Sequence, residues 1–253
     1  MRQKERFSLI LERLAEKGSV GVLELAEELG VSSASVRRDL QVLEEQHLLS
    51  RTHGGAVALN MVYELPLRYR GSRHREEKRR IALAAAARVE HTVTTVGLTG
   101  GTTTTEVARA LMDRTGLTVV TNALNIASEL ALRPNLRLVV TGGLARSASY
   151  ELVGPLAEAT LQGLNLDLAL IGVDGITAQD GIMTFDEAEA QTNRTLIERA
   201  QRVVVVADGS KVGRRALVRI CPIQAVGELI TDTSADPAEL DRLRGMGVTI
   251  VLA

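Results

Sequence analysis

Apolar residues recur at helical spacing from the start of the chain. Phe7, Ile10, Leu11 and Leu14 sit among Arg, Glu and Lys, which predicts an amphipathic helix running to about Lys17 and stopping at Gly18. VLELAEELG repeats the pattern with Leu25, Ala26 and Leu29 inward, and Gly30 suits the left-handed residue past a helix end. Ser32 then suits an N-cap for SASVRRDLQVLEEQ, in which Val36, Leu40 and Leu43 form a stripe at i, i+4 and i+7. Two short helices joined by a tight glycine-containing turn make a helix-turn-helix. After it, HLLSRTHGGAVAL reads as two short strands around His53-Gly54-Gly55, a hairpin that would form a wing.

The period changes downstream. Residues 60–80 contain a proline, a glycine and clustered charge, with seven Lys/Arg against three Asp/Glu from 61 to 80, net +4, and read as a linker entering a helix. Beyond them, apolar runs such as TTVGL, LTVVT, LRLVV, LDLALIGVDGI, RVVVVADGS and VTIVLA alternate with helix-like runs such as TEVARALMD and ALNIASELAL. That alternation predicts βαβ units and a mostly parallel sheet, and the near-continuous Val/Leu/Ile strands are those of a sheet buried on both faces. The expected organisation is a winged helix-turn-helix domain over 1–59, a linker over 60–75 and a Rossmann-like, mostly parallel α/β domain over 76–253.

Composition removes several classes. With 45% hydrophobic residues, 24% charged residues and a net charge of -1, the 253-residue chain fits an ordinary soluble globular protein and not a disordered or fibrous one. Cys221 is the one cysteine, which excludes an intrachain disulfide framework, and with four scattered histidines it leaves no cluster at zinc spacing. Its place beside Pro222 suits a small buried residue. No stretch approaches the roughly 18 consecutive apolar residues of a membrane helix and no export signal is visible. A reducing cytoplasm is therefore the expected home, with no membrane, metal or cofactor.

On the third helix, Ser32, Ser33, Ser35, Arg37, Arg38 and Gln41 lie off the apolar stripe. Serines at a helix N-terminus hold phosphate, arginine bridges guanine O6/N7, and glutamine does the same to adenine, so the set suits docking on double-stranded DNA. Arg51 and His53 on the wing would reach the flanking backbone. An isolated Arg-Arg-Asp triplet is more often a solvated helix face; its position in the second helix of a helix-turn-helix, ahead of a glycine hairpin, favours DNA. Bulk charge gives no help, because residues 1–60 hold eight Lys/Arg and nine Asp/Glu. Affinity then requires segregation, with Glu24, Glu27, Glu28, Glu44 and Glu45 turned away, and gains from a homodimer or homotetramer reading paired half-sites.

GLTGGTTTTEVARAL sets two glycines and four threonines where a strand gives way to a helix. It lacks the lysine of a Walker loop and does not match GxGxxG, so nucleotide hydrolysis is disfavoured. Gly100, Gly101, Thr102, Thr103 and Thr104 instead offer backbone amides and hydroxyls to an anion. Asn122, Gly142 and Gly143 follow two further strands and would line the same crevice, since ligands of open α/β sheets gather at strand C-termini. Asp174 and Lys211 end two other strands and complete a polar pocket with Glu187, whereas Asp186 and Glu189 read better as acids favouring the helix dipole.

VSSASVRRDLQVLEEQHLLSRTHGGA resembles the winged helix-turn-helix signature of the DeoR family of bacterial transcriptional regulators. Ser35 stands where that family usually has threonine, and His47 where glycine is common; histidine tolerates a left-handed backbone better than most residues, so the helix end is expected to survive. From about residue 75 to 253, GLTGGTTTTEVARAL, VVTNALNIASEL, GVDGI and ADGSKVGRRA match the family's effector domain, whose fold is similar to ribose-5-phosphate isomerase. The resemblance implies a repressor whose hold on its operator is changed by a phosphorylated sugar or related metabolite. Phosphate would sit on Gly100 to Thr104, hydroxyls would meet Asp174 and Glu187, and Lys211 would read charge, with residues 60–80 transmitting the signal. In the isomerases the strand-end motif is Asp-Gly-Ala-Asp, while here it is Asp174-Gly175-Ile176-Thr177. The missing acid removes a group suited to proton transfer, so binding without turnover is expected and no residue is assigned a catalytic role. Two rivals are an isomerase with an appended DNA-binding module and a DNA-binding scaffold with a dead pocket.

Overall fold

The computed structural model describes residues 3–59, 65–71, 74–90 and 92–253. Residues 60–64, 72 and 73 of the expected linker lie outside the described residues. The chain divides into two compact units, Met1–Arg73 and His74–Ala253.

The first unit opens with α1 (Gln3–Lys17), β1 (Ser19–Gly21), α2 (Val22–Leu29) and α3 (Ser33–Glu45), and continues with β2 (Ser50–Arg51), β3 (Gly55–Val57) and α4 (Leu67–Arg70). Phe7, Ile10, Leu11, Leu14, Leu25, Leu29, Val36, Leu40 and Leu43 form one core, as the helical spacing requires. Ser32 caps α3 by accepting from the Ser35 amide at 3.2 Å, and His47 takes φ 55°, the left-handed turn that closes this helix. The wing differs from the expected hairpin: its sheet runs β1-β3-β2, so a third strand comes from the chain between the first two helices. Three residues are too few to show a period of two in sequence. The segment after the wing is not plain linker either, because Tyr69 of α4 packs in this core and donates to Gln46 Oε1 at 2.6 Å.

Asp39, the acid of the Arg-Arg-Asp triplet, is buried and accepts from Arg6 Nε at 2.6 Å and Arg6 Nη2 at 3.0 Å. This forked pair ties α1 to α3 and fixes which face of α3 is left outward.

The second unit contains β4 (Thr95–Leu98), β5 (Thr118–Thr121), β6 (Arg137–Val140), β7 (Leu144–Ala145), β8 (Leu152–Val153), β9 (Leu166–Ile171), β10 (Gly175–Thr177) and β11 (Gly181–Thr184), followed by β12 (Ala200–Val206), β13 (Val218–Cys221), β14 (Glu228–Thr231) and β15 (Thr249–Leu252). Its helices are α5 (Arg75–Ala86), α6 (Thr102–Ala110), α7 (Leu124–Leu130), α8 (Pro155–Gln162), α9 (Glu187–Glu198) and α10 (Pro237–Gly245). Among the described residues the main sheet has seven strands in the order β15-β14-β12-β9-β4-β5-β6, and every pairing is parallel. Alternate residues feed two cores: Ala169, Ile171, Val203 and Val205 face one layer, and Leu168, Leu170, Val204 and Val206 the other.

From β4 the chain proceeds outward to β5 and β6, then crosses to β9 on the other side and continues to β12, β14 and β15. Strand order therefore switches between β4 and β9, the place in open α/β sheets where ligands gather at strand C-termini. The run LDLALIGVDGI, expected as one strand, breaks there: β9 ends at Ile171 and Gly175 begins β10 of a separate antiparallel sheet with β11 and β13. The cause is close approach, since a Cβ on Gly172 would lie 2.8 Å from the Gly100 carbonyl oxygen.

Replacing Asp39 with Ala strands the half-buried Arg6 charge and is expected to destabilise the first unit by about 3 kcal/mol. Urea unfolding followed by far-UV circular dichroism checks this, and an unchanged profile would remove the Arg6–Asp39 pair from the account of how α3 is oriented.

Candidate functional site

Two faces carry the residues singled out above. On α3, Arg37, Arg38 and Gln41 are exposed opposite the buried Val36, Leu40 and Leu43. Arg37 and Arg38 make no hydrogen bond or ion pair among the described residues, so both guanidinium groups are available to phosphate or base edges. Ser32 and Ser35 are exposed to half-exposed and engage each other, Oγ to Oγ at 3.0 Å, with Ser33 half-exposed beside them. Gln41 donates to Glu45 Oε1 at 3.1 Å, and Arg51 and His53 are exposed on the wing.

The expected segregation of acids holds in part. Glu28 pairs with Arg13 and Glu24 with Lys17, away from α3. Glu44 and Glu45 are not turned away. Glu44 accepts from the Arg51 amide at 2.8 Å and lies 3.9 Å from its guanidinium, so this acid ties the wing to α3. Helical spacing alone gives the side of the helix, not the strand that later folds over it.

The pocket forms at the switch between β4 and β9. Gly101 precedes α6 with φ 127° and ψ 161°, a conformation that L side chains rarely adopt, and the first amides of α6 follow it. Thr104 and Thr105 turn their hydroxyls back to the Gly101 carbonyl at 3.1 and 2.6 Å, so those two groups serve the helix end. Thr102 and Thr103 stand beside the open amides, Thr102 half-exposed and Thr103 buried.

Asp174 is buried and accepts from Lys211 Nζ at 3.4 Å and Thr184 Oγ1 at 3.3 Å. Thr184 also contacts Glu189 Oε1 at 3.0 Å, and Glu189 takes Arg146 Nη1 at 2.8 Å. Arg146 reaches Asp186 at 2.9 Å as well, and Asp186 caps α9 by accepting from the Glu189 amide at 3.0 Å. Glu187, expected in the pocket, is exposed on the first turn of α9; its neighbour Glu189 is the buried one. A helix turns about 100° per residue, so a two-residue offset carries a side chain to the opposite side.

Asn122 is fully buried and donates to Glu151 Oε2 at 3.0 Å and Asn193 Oδ1 at 3.3 Å, while its own Oδ1 finds no partner among the described residues. It meets the cluster through Glu151 and not directly. Gly142 and Gly143 make the turn from β6 to β7, where Gly143 packs on the Val153 carbonyl of β8.

Glu151 was not among the expected residues. Its side chain occupies the space a Cβ on Gly100 would need, so it forms the underside of the anion loop. Burial, with the nearby charge of Glu189, pushes its carboxyl well above the usual range; hydrogen bonds from Asn122 and Asn193 offset only part of that, and Asp174 adds to the rise. The signal lay in ASYELVGPL, a lone acid inside an apolar run. Arg146, Asn193 and Thr184 carried no comparable signal. Among the described residues no three carboxylate, thiol or imidazole groups converge as a metal ion requires. What remains is a helix end with open amides above Glu151, and beside it a lysine paired with Asp174 among further carboxylates.

Two family models match the chain: a DeoR-like helix-turn-helix domain over residues 6–62 and a DeoR C terminal sensor domain over residues 73–233. A putative aga operon transcriptional repressor of Escherichia coli O157:H7 is 35% identical over 98% of this chain and 93% of its own length. The glycerol-3-phosphate regulon repressor of Escherichia coli K12 is 36% identical over 92% of each chain. Among solved structures, ribose 5-phosphate isomerase A of Methanocaldococcus jannaschii aligns with a TM-score of 0.41 at 17% identity, over 57% of this chain and 55% of that one.

The raised carboxyl of Glu151 gives stability a pH dependence. Below the unfolded value of ~4.3 both states hold the proton and nothing is lost. Above it the unfolded chain ionises while the folded chain keeps its proton, so stability falls as pH rises towards the folded value. Glu151→Gln keeps the hydrogen-bonding shape and removes this loss. Its melting temperature is expected to exceed that of the wild type by a few degrees at pH 8 and to converge with it near pH 4. A variant equal to or below the wild type at pH 8 would contradict the assignment.

Proposed function

The chain belongs to the DeoR family of transcriptional regulators, and on that premise we propose that it is a repressor of carbohydrate-metabolism genes whose operator binding is modulated by a phosphorylated sugar or related metabolite. One observation supports this reading of the ligand: Gly172, two residues before Asp174 and its partner Lys211, packs on the Gly100 carbonyl ahead of α6, where strand order switches between β4 and β9. Amides and lysine suit phosphate, and buried carboxylates suit the hydroxyls of a polyol. The same pocket argues for binding over turnover. Where the isomerases it resembles have a second acid, Thr177 lies buried in β10 and its hydroxyl is engaged with Asp180. The ligand acts by favouring one of two states of the protein, which requires differential affinity. A homodimer or homotetramer in the cytoplasm, presenting paired α3 helices to a palindromic duplex, completes the proposal. Among the described residues no helix is long and apolar enough to cross a membrane.

A thermal-shift screen with glycerol 3-phosphate, ribose 5-phosphate and glucosamine 6-phosphate tests the sensor. At least one is expected to raise the melting temperature well beyond inorganic phosphate, and Lys211→Ala should reduce that shift. If none stabilises the protein, the pocket is not a sensor for these compounds; measurable isomerisation of any of them would make it an enzyme. For DNA, a duplex selected from random sequence by the protein should bind with steep salt dependence, and Arg37→Ala should reduce the salt slope by about one unit if Arg37 meets phosphate. Salt-independent binding would rule out the α3 face.

A further inference from the structure

Lys211 lies on a short 3-10 turn, Gly209–Lys211, whose backbone is held by two buried aspartates. Asp208 accepts from the Ser210 amide at 3.2 Å and from the Ser210 hydroxyl. Asp232, at the end of β14, accepts from the Gly209 amide at 2.7 Å and the Ser234 amide at 2.8 Å. Burial alone would raise the Asp232 carboxyl, yet the hydrogen bonds from Ser234 and Gly209 outweigh it and hold the group below its ordinary value, helped by His74. The turn is also closely packed, since a side chain at Gly209 would collide with Ala235 and Ser234.

Both aspartates also face the start of α5, the first helix after the linker. Lys78 is 5% exposed and sets its ammonium 4.0 Å from Asp208 Oδ2. A lysine in an EEKRR run ordinarily reaches into water, and burying its charge is costly unless a partner is present. His74, the residue before α5, acts electrostatically on Asp232 and holds φ 48° and ψ 42°, a left-handed conformation uncommon for residues other than glycine. Lys78 closes that turn, its amide donating to the His74 carbonyl at 2.9 Å. A continuous set of contacts thus runs from Asp174 through Lys211 and the turn to Asp208, Lys78 and His74.

We propose that Lys78 and Asp208 are a positioning pair that transmits the state of the Lys211–Asp174 contact to the first turn of α5, where the chain enters the sensing unit from the linker. The proposal rests on reading the Lys211 turn as part of the sensing pocket. An anion that draws Lys211 away from Asp174 displaces a turn that cannot absorb the movement locally. Asp208 moves with it, and Lys78, whose ammonium lies 4.0 Å from that carboxylate, follows. Asp208 and Lys78 touch no ligand; they act through Lys211.

Amide hydrogen exchange on the full chain, with no effector added, tests this. Peptides spanning 75–83 and 209–213 are followed in the wild type, Lys211→Met, Lys78→Met and the double variant. Lys211→Met is expected to speed exchange over 75–83 about fivefold in the wild-type background and by no more than about twofold once Lys78 is Met, the non-additivity that marks coupling. Lys78→Arg keeps the charge and should restore most of the effect. Equal acceleration in both backgrounds, or none in the wild type, overturns the proposal, since a merely structural lysine gives additive changes. If Lys78→Met does not fold, Asp208→Asn completes the same cycle. Thermal shifts with glycerol 3-phosphate and ribose 5-phosphate, run alongside, separate the two failures. Absent shifts count against the sensing pocket, whereas shifts with additive exchange count against the pair alone.

Discussion

The loops leaving β4 and β9 meet with no room for a side chain between them. Gly172 packs against the Gly100 carbonyl, and Glu151 fills the space where Gly100 would carry a Cβ. This contact sets the start of α6 against the link from β9 that leads to Asp174. Any side chain at Gly100 would displace Glu151 and with it Asn122 and Asn193. The anion loop, the carboxylates and the ends of five strands are thus parts of one packed arrangement.

Charge in that arrangement is balanced pair by pair. Asp174 is met by Lys211, Glu189 by Arg146, and Lys78 by Asp208. Buried pairs of this kind contribute little net stability, because desolvation offsets most of their attraction, but breaking one strands its partner. They are therefore better suited to defining two alternative arrangements than to holding one. Glu151 is the exception. Burial and the charges of Glu189 and Asp174 raise its carboxyl, and the amides of Asn122 and Asn193 offset only part of that rise.

In the first unit, orientation is set by acids and not by the arginines that would touch DNA. Asp39 fastens α3 to α1 through Arg6, and Glu44 fastens the wing to α3 through Arg51. Arg37 and Arg38 are left outward because the acid that follows them, Asp39, is turned inward onto Arg6. A unit with nearly as many acids as bases still presents a basic face, since Asp39, Glu24, Glu28 and Glu44 are engaged in holding the frame.

The amino-acid sequence by itself determined what depends on near neighbours along the chain. Helical stripes, the Ser32 cap, the glycine-threonine loop and the apolar runs of a doubly covered sheet are all local patterns, whereas Asp174 and Lys211, expected at strand ends, lie beyond them, in the link to β10 and on a 3-10 turn. Tertiary structure alone decided which side chains meet across the chain. β1 joined the wing through pairing with residues some thirty-six positions later. Glu189 displaced Glu187 because Arg146 and Thr184 lie on its side of α9. Glu151 entered the site because β8 brings it under a loop about fifty residues earlier. Period and propensity report which face of an element is apolar, but polar partners are chosen by strand order, and strand order is a property of the whole sheet.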